Sequence, residues 1–221
     1  MATTRTYDDS CGVAHALDLV GERWALLVIR ELMLGPKRFT DLRSDLPGIS
    51  ANVLTHRLAE LETVGVLTRR RLAPPAASWV YELTEWGSEL EPALQVFGRW
   101  AARSPAHRKD LAFSATSLVL SLRTNFDATL AHGVRCEVAL RCGDDSFLAT
   151  VEDGVLTVDR VPPSGADAEI AGDPRMIASV VYGGRPLADA TATGDLSVTG
   201  DMSVAERFLS LYSLPSVAEV A

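Results

Sequence analysis

This sequence predicts a mainly α domain of helix-turn-helix type closed by a β-hairpin, followed by an α+β domain with an antiparallel sheet and helices on one face. Three observations predict it. Leucines recur at helical spacing through the first half, whereas apolar and polar residues alternate over residues 135–142. Two short apolar-striped helices flank Pro47-Gly48-Ile49, a tight turn, and two β-prone runs follow at once. Charge divides the same way. Residues 1–105 hold 12 Lys+Arg against 13 Asp+Glu, net -1, and residues 106–221 hold 9 against 16, net -7. Arg103-Ser104-Pro105 supplies the punctuation, giving domains 1–105 and 106–221.

In chain order, residues 11–20 form a first helix with Val13, Ala16, Leu17 and Val20 on one side. Residues 24–34 form a second, which Gly35 and Pro36 end. Residues 39–46 make a short helix with Phe39, Leu42 and Leu46 inward. Ser50 caps the next helix, whose Leu54, Leu58 and Leu61 form one narrow buried stripe. At about 100° per residue, Asn52, His56, Ala59 and Thr63 lie opposite that stripe, with Thr55 and Arg57 on its flanks. Gly65 stops the helix, and residues 66–71 and 79–83 read as strands joined by the loop 73–78. That hairpin is a wing, so the unit is a winged helix-turn-helix. Its Arg69, Arg70 and Arg71 suit phosphates, which give affinity and register, while Asn52, Thr55, His56 and Arg57 suit base edges in the groove. Arg38 and Ser50 complete the candidate contacts with double-stranded DNA. A helix then starts at Thr84, with Leu90, Leu94, Phe97 and Trp100 or Ala101 at helical spacing and a kink or fresh start at Pro92.

Cys11 with residues 16–24, Arg38-Phe39-Thr40-Asp41-Leu42, Gly48-Ile49-Ser50, Leu54-Thr55-His56-Arg57-Leu58, Leu61-Glu62, Gly65 and Tyr81-Glu82-Leu83-Thr84 resemble the HxlR-type family of winged helix-turn-helix transcription regulators, relatives of the MarR group. The resemblance spans about residues 10 to 103 and implies a homodimeric bacterial DNA-binding regulator. It implies that the late helix of this half pairs with a partner's N-terminal helix; the alternative is that its stripe covers only its own domain. A dimer would set two recognition helices about one DNA turn apart, roughly 34 Å, on an inverted repeat. The wing tip departs from the family: Pro74-Pro75-Ala76-Ala77 stand where a more polar stretch is usual.

Composition narrows the remaining classes. No apolar run approaches the roughly 18 residues a membrane span needs, and residues 1–10 are polar and acidic, unlike a signal peptide, so a cytoplasmic protein without membrane contact is expected. The net charge of -8 opposes nucleic acid as a whole, but residues 37–71 carry 7 basic against 4 acidic groups. Such a local, weakly basic footprint implies binding that fades with salt. Cys136 and Cys142 share one side of a strand in CEVALRC and read as core residues, and the four histidines match no zinc spacing. Cys11 has two readings. It is a redox switch, as the resemblance implies for a cysteine at this place, or a packed or idle thiol with no Lys or Arg within four residues. Cys11 and His15 lack a third orienting group, and no nucleotide fingerprint occurs, so neither an enzyme nor a cofactor is expected.

In the second half residues 110–131 repeat Leu111, Ala115, Leu118, Leu122, Phe126 and Leu130 as a helix. Residues 135–142, 147–151 and 155–161 then predict an antiparallel meander, with Asp153-Gly154 as a type I′ turn. A strand over 168–171, a helix opened by Asp173-Pro174 and closed by Gly183-Gly184, a strand over 191–200 and a helix capped by Asp201 complete the order. Asp173 with its helix, and Gly194-Asp195-Leu196-Ser197-Val198-Thr199-Gly200-Asp201, are similar to the sterol carrier protein type 2-like fold over about residues 112 to 213. That resemblance implies a site for a small apolar or lipid-like effector flanked by Phe126, Phe147, Met176, Val180, Tyr182, Phe208 and Leu211. The alternatives are that these side chains fill a core, or that the domain is an interaction module that steadies a dimer. Taken together, the residues describe a ligand-responsive DNA-binding regulator, with redox response through Cys11 as the rival.

Overall fold

The computed structural model describes residues 6–108, 111–161 and 164–219. The chain forms two compact units, Met1–Leu94 and Gln95–Ala221.

The first unit begins with α1 (Gly12–Val20) and α2 (Ala25–Leu32). Val20, Val28, Ile29 and Leu32 enter its core, whereas Val13 and Leu17, expected on the same side of α1 as Val20, are exposed. α3 (Phe39–Asp45) leads through Gly48, whose φ of 93° a side chain would resist, into α4 (Ala51–Thr63). Ser50 caps α4 by accepting the Val53 N–H. β1 (Leu67–Arg71) and β2 (Trp79–Leu83) pair antiparallel from Leu67 opposite Leu83 to Arg71 opposite Trp79. Thr84 then accepts the Gly87 N–H at the start of α5 (Glu85–Ser88), and α6 (Glu91–Ala102) starts afresh with Pro92 in its first turn.

The second unit takes in the rest of α6 and then α7 (Ala115–Asn125), capped by Ser114. It is shorter than residues 110–131: Leu111 and Leu130 are exposed outside it, and Asp110 lies outside the described residues. β3 (Cys136–Cys142), β4 (Asp145–Glu152) and β5 (Val155–Asp159) form the expected meander, with Asp153 and Gly154 both at positive φ in the two-residue turn. Beyond it the sheet is not purely antiparallel. β6 (Ala168–Gly172) lies parallel to β3, and β7 (Leu196–Gly200) is antiparallel to β6, giving the order β5-β4-β3-β6-β7. Asp167 explains the crossover: its carboxylate and backbone bond Glu137 at the start of β3, and its carbonyl accepts the Asp201 N–H beyond β7. The backbone passes so close to Gly200 that a Cβ there would sit 2.4 Å from the Asp167 carbonyl oxygen. α8 (Pro174–Gly183) ends at Gly184 in the left-handed region. α9 (Leu187–Ala192) occupies part of the expected strand 191–200, because Leu187 and Ala190 bury at helical spacing. α10 (Met202–Leu209) follows, capped by Asp201. Alternation along β4 buries Phe147, Ala149 and Val151 on one sheet face. No helix among the described residues is long and apolar enough to cross a membrane.

Candidate nucleic-acid interface

The scaffold of the interface is held by a buried ionic knot that sequence reasoning missed. Glu31 of α2 is fully buried and meets Arg30 at 2.6 Å and the Lys37 ammonium at 2.8 Å; Lys37 also reaches Asp45 at the end of α3 at 2.6 Å. Charges withdrawn from water persist only when paired and hydrogen-bonded, so the knot fixes α2 against α3. Lys37 also exchanges backbone hydrogen bonds with Tyr81, tying the wing to the same point. Its ammonium therefore belongs to the scaffold and not to the basic footprint.

On this frame α4 presents two unlike faces. Leu54, Leu58 and Leu61 are buried, while Asn52, Thr55, His56, Ala59 and Thr63 are exposed. Thr55 and Thr63 return their hydroxyls to the carbonyls of Ala51 and Ala59, leaving their methyl groups outward. The His56 ring lies 2.9 Å from Glu60. Arg57 departs from expectation. It is 8% exposed, pairs with Glu60 and lies 3.6 Å from Glu22, so its guanidinium is committed to intramolecular carboxylates and not to a groove. The helical wheel put it on a flank, but a long side chain turns wherever a buried partner waits.

In the wing, Arg69 stacks 4.5 Å over Trp79 and also faces Tyr81, and Arg70 meets Glu82 at 2.7 Å. Arg71 donates to the Ala77 carbonyl and Arg38 to the Ser78 hydroxyl. These four cations are exposed, and their partners lie in or beside the hairpin, which aims them without burying them. Residues 73–77 at the tip are exposed as well.

Three further features lie outside this face. Cys11 is exposed at the α1 N-terminus, and the N–H groups of Val13 and Ala14 draw its thiol below the ordinary value, although neither makes a full capping bond. Cys136 and Cys142 are buried, and desolvation pushes Cys142 up to about 12. Val96, Phe97 and Trp100 on α6 are exposed, as are Val13 and Leu17 on α1.

In the second unit a cleft of about 400 Å³ is lined by Val180 and Val181 of α8, Pro186, Leu187 and Ala188, and Glu206, Leu209, Ser210 and Tyr212. Of the seven expected ligand residues only Val180 is among them. Phe147, Phe208 and Leu211 are fully buried in the core and do not line this cleft. Phe126 packs edge-on against Tyr212, Met176 lies 3.6 Å from the Arg185 guanidinium, and Tyr182 accepts a hydrogen bond from Ser121. Large apolar side chains are the ones a small domain can least spare from its core, which is where Phe147, Phe208 and Leu211 lie. Glu206, Ser210 and Tyr212, which were not among the expected ligand residues, supply the polar side chains of the wall. No cluster of three or more His, Cys, Asp or Glu able to hold a metal ion occurs among the described residues.

Comparison with known proteins divides the chain near residue 109. The family described as HxlR-like helix-turn-helix matches residues 19–109, and the alkyl sulfatase C-terminal family matches residues 109–217. The chain is similar to the uncharacterized HTH-type transcriptional regulator YvaP of Bacillus subtilis, 36% identical over 86 residues that make 39% of this chain and 80% of that protein. It is similar also to the HTH-type transcriptional regulator YodB of Bacillus subtilis, 40% identical over 86 residues, 39% of this chain and 77% of that protein. Among solved structures, the sec-alkylsulfatase Pisa1 from Pseudomonas sp. is 20% identical with a TM-score of 0.42, over 46% of this chain and only 16% of the sulfatase. An exposed α4 face, a cation-edged hairpin and this extent of identity converge: the chain belongs to the HxlR-like helix-turn-helix family of transcriptional regulators.

Proposed function

We propose that this protein binds an inverted-repeat DNA site as a homodimer, with residues 1–105 for DNA binding and dimerisation and residues 106–221 for a small apolar effector, acting in the cytoplasm without catalysis. The observation that carries the reading is the α4 face, where Asn52, Thr55 and His56 stand in solvent while the leucine stripe holds the helix down. Asn offers a bidentate amide to adenine, and threonine methyls and imidazole suit the remaining edges. Ser50 starts the helix, so the α4 N–H groups and Arg38, Arg69, Arg70 and Arg71 are assigned to phosphates. The apolar side chains that α1 and, separately, α6 leave in solvent support dimerisation, since each helix then has an apolar face for a partner to cover.

A mobility-shift series on an inverted repeat tests the groove assignment. Asn52→Ala relaxes the preference at one position per half-site; if Asn52→Ala, Thr55→Ala and His56→Ala all retain full sequence preference, α4 does not read the bases.

The sterol carrier-like arrangement proposed for the second unit supplies the effector site. Its occupant acts only through unequal affinity for DNA-competent and incompetent states. The exposed, acidified thiol of Cys11 favours a second reading, a redox-responsive regulator in which the second unit only steadies the dimer. Because the Cys11 thiol sits below its ordinary value and Cys142 near 12, iodoacetamide at neutral pH alkylates Cys11 and spares Cys142. If diamide releases the chain from DNA and Cys11→Ser does not respond, the redox reading replaces the effector reading; equal release in both proteins eliminates it.

A further inference from the structure

A second groove of the unit Gln95–Ala221, of about 490 Å³, runs between α6 and the C-terminal segment and is lined by Val96, Arg99, Trp100, Arg103, Pro215 and Ser216. Spacing accounts for its helical wall: Val96, Arg99, Trp100 and Arg103 step by three, one and three, and so share one face of α6 and the turn after it. The opposite wall is pinned in place. The Ala218 N–H donates to the Arg103 carbonyl at 2.8 Å, and Arg103 Nε donates back to the Ser216 carbonyl at 3.1 Å. Arg99 donates through Nη1 to the Thr124 carbonyl near the end of α7, at 3.3 Å.

These anchors hold two guanidiniums without neutralising them. Five other arginines of the same unit, Arg135, Arg141, Arg160, Arg175 and Arg185, each meet a carboxylate. Arg99 and Arg103 meet carbonyls, and no Asp or Glu lines the groove. A carbonyl accepts a hydrogen bond but carries no net charge, so both cations keep theirs. Residues 95–109 hold four Lys+Arg and no Asp or Glu, in a unit with 11 against 16 overall, net -5. The local field therefore favours an anion where the unit as a whole opposes one. Trp100, next to Arg99, is 72% exposed, and Val96, one turn before it, is 70% exposed. A flat ring is the natural cover for an indole left in water, and guanidiniums one helical turn apart suit a carboxylate or sulfonate. A flexible acyl anion would match the charge but give up more conformational freedom in covering the indole. The volume lies within the range of small-molecule sites.

We infer that this groove is a second binding site, for a planar aromatic anion, with Arg99 and Arg103 pairing the anion and the ring lying on Trp100. It does not depend on the effector reading of the cleft lined by Val180 and Leu209. A second copy of the chain is the rival occupant, since Val96 and Trp100 also belong to the exposed apolar side chains of α6. The assignment is tested by calorimetric titration of the full chain with 1-naphthoate, naphthalene-1-methanol and octanoate. Naphthoate binds about tenfold more tightly than the alcohol or octanoate, and salt weakens naphthoate but not the alcohol. Arg99→Gln and Arg103→Gln, which keep a donor for the carbonyl and remove the charge, each lower naphthoate affinity about fivefold and leave the alcohol unchanged. A merely disturbed fold would lower both. Trp100→Ala weakens naphthoate and alcohol alike. Naphthoate no tighter than the alcohol or octanoate overturns the assignment. Naphthoate bound equally by the parent and both glutamine variants also overturns it, placing the ring elsewhere and leaving the effector reading of the cleft intact. If naphthoate does not bind and sedimentation shows that Trp100→Ala dissociates a dimer, the groove belongs to a second copy; absence of binding overturns the anion site in either case.

Discussion

Helices α4 and α7 start alike and end in opposite roles. Each is capped by a serine that accepts the N–H three residues on, and each carries leucines at helical spacing. Yet α4 buries four of its 13 residues and α7 eight of 11, among them Thr116, Ser117 and Asn125. Around α4, burial stops at one stripe, so its remaining polar groups face outward where another molecule can meet them. Around α7, burial continues onto the polar side, so hydroxyls and an amide find partners inside: Asn125 donates to the Ser121 carbonyl, Thr124 to the Leu120 carbonyl and Ser121 to the Tyr182 hydroxyl. A stripe bordered by solvent makes a reading surface. A stripe that widens until polar groups are enclosed makes an internal hydrogen-bond network.

The largest effect that bears on this comparison comes from the stripes themselves. Leu118→Ala in α7 and Leu58→Ala in α4, both essentially unexposed, each cost about 2–5 kcal/mol of unfolding free energy by denaturant titration. If Leu58→Ala costs no more than a surface change, α4 is not anchored as described. Arg57→Ala comes next. It removes a buried guanidinium with charged partners and costs about 1.5–3 kcal/mol, while the DNA base preference stays as it was. A relaxed preference with unchanged stability would return Arg57 to the groove. Asn52→Ala inverts that pattern: stability stays within about 0.5 kcal/mol, and base discrimination drops by about 1–3 kcal/mol. Arg70→Ala is the smallest change, because Arg70 is shared with Glu82; binding weakens evenly across sequences and the salt slope falls by about one counterion.

Much of the first unit was legible because its signals are local. The Ser50 cap, the leucine stripe, Gly48 and the hairpin each depend on residues a few positions apart, and each appears where periodicity put it. Arg57 and Lys37 were misread because ion pairing joins residues distant in sequence: Glu22 with Arg57, and Glu31 and Asp45 with Lys37. In the second unit the Asp153-Gly154 hairpin was legible for the same local reason, but the parallel pairing of β3 with β6 was not. Alternation records which face of a strand is buried and says nothing about its direction. The ligand residues were the least legible, since Phe147 and Phe208 look alike in a pocket wall and in a core, and of the seven only Val180 lines the cleft.

By itself the sequence determined the kinds of elements, the cap and stripe of α4, and the family resemblance of the first half, since these follow from spacing along one chain. Tertiary structure alone decided which cations remain free for phosphate and which strand lies beside which. Those outcomes depend on distances between residues far apart in sequence, and a hydrogen bond or ion pair exists only where the fold closes that distance to about 3 Å.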